Sequence, residues 1–313
     1  MEHIENRWCY EILENHPDAT LVRSEERRTM KLGQFNIFPV TDGRFRLDGG
    51  AMFGVIPRVL WEKCCPADEE HRIPLSLTCL LIQAHGKNIL VDTGLGSKQD
   101  RKFHRMFAVE HTPSLYESLE SLDLSPEDIH VVINTHLHFD HAGGNTLRHE
   151  GGPTIPTFPK ARYLVQRGEY EDAIKANERT KASYRQENFL PILEHRQWEF
   201  VTGTTEWLPG ISMVLTPGHT KYHQSVKIES EGHTAFFLGD CIPTVSHLPL
   251  PYIMGYDLYP LQTLETKRWI LDQAYEEGWL MIFEHDPRIE MGYVHKNPEG
   301  KYFLKPASEA RSA

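Results

Sequence analysis

The chain has 313 residues, 40% of them hydrophobic and 25% charged, which is typical of a globular protein with a sizeable core. Its formal charge of −11 disfavours DNA or tRNA, so we expect no nucleic-acid partner. The five cysteines show no CxxC spacing, which favours reduced thiols. The first residues lack the order of a signal peptide, and no apolar run is long enough to span a membrane. We therefore expect a cytoplasmic protein without a membrane partner.

Polar and charged residues dominate the first part of the chain, and we interpret residues 1–31 as an N-terminal helical extension. Alternating or continuous apolar stretches then indicate strands, and stretches of helical spacing separate them. In chain order we predict a strand at 33–45, a hairpin at 76–94, a helix at 114–122, a strand at 129–136, a loop at 151–159, a strand at 161–166, a helix at 168–184, strands at 211–220, 223–230 and 233–240, a helix at 261–278 and a strand at 279–287. This mixture predicts a layered α/β domain over residues 32–304, followed by a frayed tail at 305–313.

The stretch NTHLHFDHAGGN at 134–145 contains His136, His138, Asp140 and His141 within six residues. In a chain with 18 histidines, this spacing arises by chance in roughly a few sequences per thousand, so a metal site needs further ligands elsewhere. Three such residues follow other predicted strands, namely His219, Asp240 and His285. Because loops at strand ends hold ligands while the sheet fixes their separation, the pattern predicts a metal centre along one sheet edge.

The residue types suit a centre with two metals. Zinc-like ions accept imidazole nitrogen and carboxylate oxygen, and two metals about 3.5–4 Å apart can share a bridging hydroxide. A carboxylate that touches both ions is then needed, and Asp240 is the natural candidate. Asp92, at another strand end, is expected to orient a ligand imidazole, although a simple turn former is the alternative. We interpret His223 as a buried histidine behind the ligands rather than as an eighth ligand.

Five motifs, VDTG, THLHFDH, TPGHT, LGD and FEHD, together resemble the metallo-β-lactamase superfamily over roughly residues 32–290. The resemblance implies a four-layer αββα sandwich with a dinuclear metal centre at one edge of its sheets. The implied ligands are His136, His138 and His219 at one ion and Asp140, His141 and His285 at the other, with Asp240 between them. Two divalent ions per chain are implied, zinc by default, with iron, manganese or cobalt as alternatives.

Within that superfamily, LDGGAMFGVIPRVLW at 47–61, GDCIPTVSHL and MGYDLYP resemble the quorum-quenching lactonases that open N-acyl-homoserine lactones. This resemblance implies a hydrolase that opens a lactone ring by attack of a metal-bridging hydroxide, with Asp140 and Asp240 as catalytic residues. A phosphotriesterase or arylesterase activity on the same centre is the alternative. The expected partner is thus a small lactone or ester, and the extension and the apolar loop at 51–56 would support a homodimer.

The substrate pocket is less well marked than the metal centre. Its candidate residues are Met52, Phe53, Val55, Ile56, Phe139, Tyr222 and Tyr256. The stretch 51–56 also suits a loop anchored in the core, and Phe139 also suits core packing. Some lactonases of the branch carry a tyrosine where this chain has Pro243, and we consider Tyr256 and Tyr259 as its substitutes.

Overall fold

The strands and helices below come from a computed structural model that describes residues 30–149 and 151–310. The strands are β1 (Met30–Leu32), β2 (Phe35–Asp48), β3 (Arg72–Ala84), β4 (Lys87–Val91), β5 (Val131–Ile133), β6 (Thr146–Arg148), β7 (Thr154–Pro156), β8 (Arg162–Gln166), β9 (Trp198–Val201), β10 (Thr205–Leu208), β11 (Ile211–Leu215), β12 (Gln224–Ser230), β13 (His233–Phe237), β14 (Leu280–Ile282), β15 (Met291–Lys296) and β16 (Tyr302–Pro306). The α-helices are α1 (Gly49–Phe53), α2 (Arg58–Trp61), α3 (Arg101–Met106), α4 (Leu115–Glu120), α5 (Phe139–Ala142), α6 (Arg167–Ile174), α7 (Leu190–Glu194), α8 (Pro260–Glu277) and α9 (Ala307–Ala310).

Two seven-stranded sheets pack face to face. The first has the order β1-β2-β3-β4-β5-β8-β9, and the second runs from β10 to β16 in chain order. Aliphatic and aromatic side chains fill the space between them, including Ile82 and Ile133 from the first sheet and Phe237 from the second. Successive strand residues point to opposite faces, so Leu81 packs outward under α4 and Phe236 packs outward under α8. The four layers confirm the predicted αββα architecture.

Five strand ends meet at one edge of this sandwich. β4 and β5 are parallel in the first sheet, and β13 and β14 are parallel in the second. β11 points the same way as β13 because both are antiparallel to β12. The segments that follow these strands therefore emerge on the same side, and they carry the ligand-type residues that the sequence analysis singles out.

The two predicted termini of the domain need correction. Residues 1–29 of the expected extension lie outside the described residues, and Met30 and Lys31 belong to β1. At the other end, Lys305 pairs with Tyr293 of β15, and residues 307–310 form α9, so a frayed tail is wrong for 305–310. Residues 311–313 lie outside the described part. A short segment pairs at a sheet edge only once its neighbour strand is in place, which local periodicity does not reveal.

Other details also differ from the sequence-based expectations. The helix predicted over 168–184 ends at Ile174, and the side chain of Asn177 accepts hydrogen bonds from the backbone of Arg179 and Thr180. Such local bonds compete with a continuing helix. The loop predicted at 151–159 contains β7.

The structure also bears on the predicted state of the cysteines and on membrane spans. Cys65, Cys79 and Cys241 are buried free thiols, whereas Cys64 is disulfide-bonded, so the prediction of reduced thiols is wrong for Cys64. Within 30–149 and 151–310, no helix combines the length and the apolarity needed to cross a membrane.

Candidate metal centre

The HxHxDH stretch forms the turn after β5 and continues into α5, which contains Asp140 and His141. Asp92, at the end of β4, holds the start of this turn, since its carboxylate accepts hydrogen bonds from Thr135 N at 2.8 Å and Thr135 Oγ1 at 2.6 Å. Buried Glu169 holds the middle, where its Oε1 accepts from Leu137 N at 3.1 Å. Two buried carboxyl groups of the protein therefore fix the turn by hydrogen bonds that do not depend on a bound ion.

The glycine pair that ends the stretch has a packing role. A Cβ on Gly143 would lie 2.1 Å from the carbonyl oxygen of Leu95, and one on Gly144 would lie 2.2 Å from that of Thr93. Only glycine lets the backbone after α5 pack this closely against the turn after β4. These glycines bring the turn with His141 against the strand end with Asp92, as the 2.8 Å bond from Thr93 N to His141 O shows.

Seven buried side chains converge at the sheet edge in two groups. The groups are His136, His138, His219 and Asp240, and Asp140, His141 and His285. In the first group His138 Nδ1 lies 3.0 Å from His219 Nε2, and in the second His141 Nε2 lies 3.2 Å from His285 Nε2. Two nitrogen ligands about 2.0 Å from one tetrahedral ion lie roughly 3.3 Å apart. Each group therefore has the spacing of ligands that share a cation.

Asp240 lies between the two groups and turns one oxygen to each. Its Oδ2 lies 3.1 Å from His219 Nε2, and its Oδ1 lies 3.1 Å from His285 Nε2. Gly239, which precedes it, has a φ of +52°, and a Cβ there would lie 2.7 Å from His223 Nε2. The glycine of LGD is thus required for the turn that points the carboxylate at the centre.

The electrostatics of the centre suit a divalent cation. Burial and the neighbouring imidazoles hold the pKa of His136 well below its usual value, so this ring is neutral, and its buried Nε2 has no hydrogen-bond partner among the described residues. Burial opposes a charge on His285, but the Asp240 carboxylate outweighs it and raises the pKa of His285 to about 9. The negative potential that stabilises a protonated imidazole here also attracts a metal ion.

Several carboxyl groups surround this centre. Four of them are buried there, namely Asp92, Asp140, Asp240 and Glu284. Across the described ranges, no lysine or arginine nitrogen forms an ion pair with any of the four. Buried carboxylates need a compensating charge, and neutral nitrogen donors next to them are the ligand set that zinc-like ions prefer. The residues therefore fit a metal centre.

The outer nitrogens of His141 and His219 each face buried carboxylates. Asp92 Oδ2 lies 3.1 Å from His141 Nδ1, as the sequence leads us to expect. Two further carboxylates carry no spacing signal in the sequence: Asp257 Oδ1 lies 2.8 Å from His219 Nδ1, and Glu284 Oε1 lies 3.0 Å from His141 Nδ1. Such partners fix the orientation of the ring and increase its basicity as a ligand.

Replacing Asp257 by asparagine is expected to weaken metal binding about 10-fold or more, because the negative charge behind His219 is lost. Competition with a chromophoric chelator measures the dissociation constant. Asp272→Asn is the matched control, since that carboxylate bonds to Lys296 and Tyr302 on the outer side of α8. Equal affinities of the Asp257 variant and the unmodified protein would contradict this role.

His223 is buried next to Asp240, in agreement with its interpretation as a histidine behind the candidate ligands. Its Nε2 accepts a hydrogen bond from Asp240 N at 3.1 Å, and its Nδ1 lies 2.8 Å from Thr216 Oγ1. Both ring nitrogens are therefore used within the protein. His223 positions the backbone of Asp240 and has no nitrogen left for a metal.

The stretch 51–56, predicted as part of a substrate wall, differs in burial from residue to residue. Met52 and Phe53 are buried, and Phe53 stacks on His247 with ring centroids 4.6 Å apart. Val55 is 91% exposed, while Ile56 is partly buried. These contacts favour the alternative interpretation of Met52 and Phe53 as residues that anchor the loop in the core.

The other three predicted pocket residues are aromatic and lie in different surroundings. Phe139 is partly buried and packs on the same cluster as Tyr256. Burial, followed by the charges of Asp48 and Asp140, raises the pKa of Tyr256 to about 12, so its hydroxyl keeps its proton at neutral pH. Tyr222 packs instead against Gly168, whose added Cβ would lie 2.5 Å from the ring.

The residues considered in place of a tyrosine at position 243 differ in their surroundings. Pro243 uses its carbonyl to accept a hydrogen bond from His285 N at 3.0 Å. Tyr259 is 43% exposed, whereas the hydroxyl of Tyr256 is close enough to Asp140 for that charge to affect its pKa. Of the two tyrosines, Tyr256 is therefore the better candidate.

Several known proteins resemble this chain in sequence or in fold. Residues 72–285 match the family model of the metallo-beta-lactamase superfamily. An N-acyl homoserine lactonase of Bacillus thuringiensis is 33% identical over 225 residues, which are 68% of this chain and 82% of that protein. A probable metal-dependent hydrolase from Staphylococcus aureus has 33% identity and a TM-score of 0.80, covering 88% of this chain and 99% of its own. AidC, a dizinc quorum-quenching lactonase, shares the fold with a TM-score of 0.74 at 20% identity, over 89% of this chain and 96% of its own.

The αββα sandwich with histidine and aspartate donors at its edge defines a metal-dependent hydrolase. The chain belongs to the metallo-β-lactamase superfamily.

Proposed function

We propose that this protein is a dinuclear metal-dependent lactonase that opens the ring of N-acyl-homoserine lactones. The observation that carries the proposal is the position of Asp240, whose two oxygens face different groups of histidines at 3.1 Å each. The similarity to an N-acyl homoserine lactonase supports the choice of substrate class. Zinc is the default metal, because imidazole and carboxylate ligands suit it.

Each ligand-type residue has a role in this proposal. His136, His138 and His219 would hold one ion, and Asp140, His141 and His285 would hold the other, with Asp240 bridging. When bound, the two ions supply the Lewis acidity that polarises a lactone carbonyl and acidifies the attacking water.

Asp140 and Tyr256 supply the remaining polar chemistry. Asp140 Oδ2 lies 3.8 Å from His285 Nε2 and 3.9 Å from His141 Nε2. From there its carboxylate can accept the proton that water loses and pass it to the ring oxygen as the C–O bond breaks. Tyr256 keeps its proton and is available as a hydrogen-bond donor to the substrate. Phe139 and Ile56 offer apolar surface for an acyl chain.

The test is a measurement of metal content followed by a substrate panel. Protein purified without chelators is expected to contain about two divalent ions per chain and to release protons from N-hexanoyl- and N-decanoyl-homoserine lactone. The panel also includes an aryl ester and a phosphotriester, because the same centre can stabilise both transition states. Turnover of these two without lactone opening would favour the arylesterase or phosphotriesterase alternative. Absence of bound metal would overturn both proposals.

A further inference from the structure

One arginine beside the metal centre has no acidic partner. Arg185 lies on the connection between α6 and α7, and its Cζ is 4.6 Å from the ring centroid of Phe103 and 5.7 Å from that of Phe139. Within the part of the chain that the structure describes, its guanidinium makes neither a hydrogen bond nor an ion pair. The nearby acid Glu187 is already bound to Arg148 at 2.6 Å. The cation is thus held by aromatic faces and keeps its donors free.

The position of Arg185 is tied directly to the ligand turn. Phe139, under the guanidinium, stands between His138 and Asp140 in the sequence and is partly buried. Tyr184, the preceding residue, forms a backbone bridge with His138, and their ring centroids are 4.8 Å apart. Arg185 therefore lies directly beside the turn that carries His138 and Asp140.

The segment that carries Arg185 also contacts the loop that carries Tyr256. Arg179 Nη2 donates to the carbonyl oxygen of Gly255 at 2.6 Å, next to Tyr256. Tyr184 is anchored below by its hydroxyl, which donates to Glu169 Oε1 at 2.8 Å. These bonds fix the segment that precedes Arg185, and the rings of Phe103 and Phe139 hold its guanidinium, so little freedom is lost when it meets a ligand.

We propose that Arg185 determines specificity by donating a hydrogen bond to the amide carbonyl of the substrate's N-acyl group. This inference rests on the proposed function, since only an N-acyl-homoserine lactone carries such an amide. The amide lies only a few bonds from the ring carbonyl that must face the metal ligands, so it can reach a residue beside the ligand turn. An amide oxygen that leaves water needs a donor, and a guanidinium seated on aromatic rings supplies one in fixed geometry. The substrate class is therefore N-acylamino lactones rather than lactones with a simple alkyl substituent.

The experiment compares two lactones in the metal-loaded enzyme. N-hexanoyl-homoserine lactone carries the amide, and a γ-alkyl lactone of similar length lacks it. Arg185→Met is expected to lower kcat/KM for the first about 10- to 100-fold, the loss typical of a hydrogen bond from a charged donor, and to change the second less than about 3-fold. Arg167→Met is the matched control, because its Cζ lies 4.8 Å over the ring of Phe200, outside the ligand turn.

The possible results distinguish the role of Arg185 from the lactonase proposal itself. A selective loss on the amide substrate, with the control unchanged, supports the role of Arg185. An equal loss on both lactones, or none on either, overturns that role and leaves the lactonase proposal standing. If the unmodified enzyme opens neither lactone, the proposed function fails, and the role of Arg185 fails with it.

Discussion

Asparagine in place of Asp240 is expected to remove metal from both groups of ligands and to lower kcat/KM at least about 10³-fold. Asp240 turns one oxygen to His219 and the other to His285, so a neutral amide, with one oxygen and one nitrogen, cannot serve both sides. Elemental analysis of the purified variant gives the metal content, and proton release from a lactone gives the rate.

His223→Asn is the informative control for this substitution. His223 contacts the backbone N–H of Asp240 but has no nitrogen free for an ion. We expect this variant to retain its metals and to lose about 1–3 kcal/mol of unfolding free energy, because buried partners are left unsatisfied. Full metal content in Asp240→Asn, or loss of metal in His223→Asn, would contradict the assigned ligand set.

Removal of the metals with a chelator is expected to lower the midpoint of thermal unfolding by about 6 °C. A ligand that binds only the folded state at a thousand times its dissociation constant stabilises that state by about 4.1 kcal/mol. In a protein of 313 residues each kcal/mol corresponds to about 1.5 °C, because the entropy of unfolding grows with chain length.

Calorimetry before and after dialysis against a chelator measures this shift, and zinc added back in slight excess should restore the original midpoint. The Asp240→Asn variant provides a second control, since its midpoint should respond little to the chelator. A midpoint that chelator leaves unchanged in the unmodified protein would mean that the donor groups do not bind metal in the folded state.

The sequence predicts the candidate residues of the metal centre because each belongs to a short motif at the end of a strand. His136, His219 and Asp240 follow apolar runs whose periodicity is local, and the sheet brings such ends together whatever the rest of the chain does. The glycines of AGGN and LGD belong to the same motifs, although the structure alone reveals the contacts that require them.

The residues around the metal centre are harder to predict from the sequence. Asp257 lies 38 residues from His219, and no spacing rule connects them. Phe53 was predicted as a pocket residue because an apolar loop near a site looks the same in sequence whether it faces the substrate or the core. Its stack on His247, a residue far away in the chain, favours the core interpretation, and no local pattern predicts that contact.

The sequence by itself determined the αββα class, the family and the seven candidate ligands, because periodicity and strand-end motifs are properties of short segments. Tertiary structure alone decided which oxygen of Asp240 faces which histidines, which carboxylates support them, and that Arg185 lies unpaired over Phe139. Those features depend on distances between segments that are remote in the chain, and such distances are set by packing rather than by local residue preference.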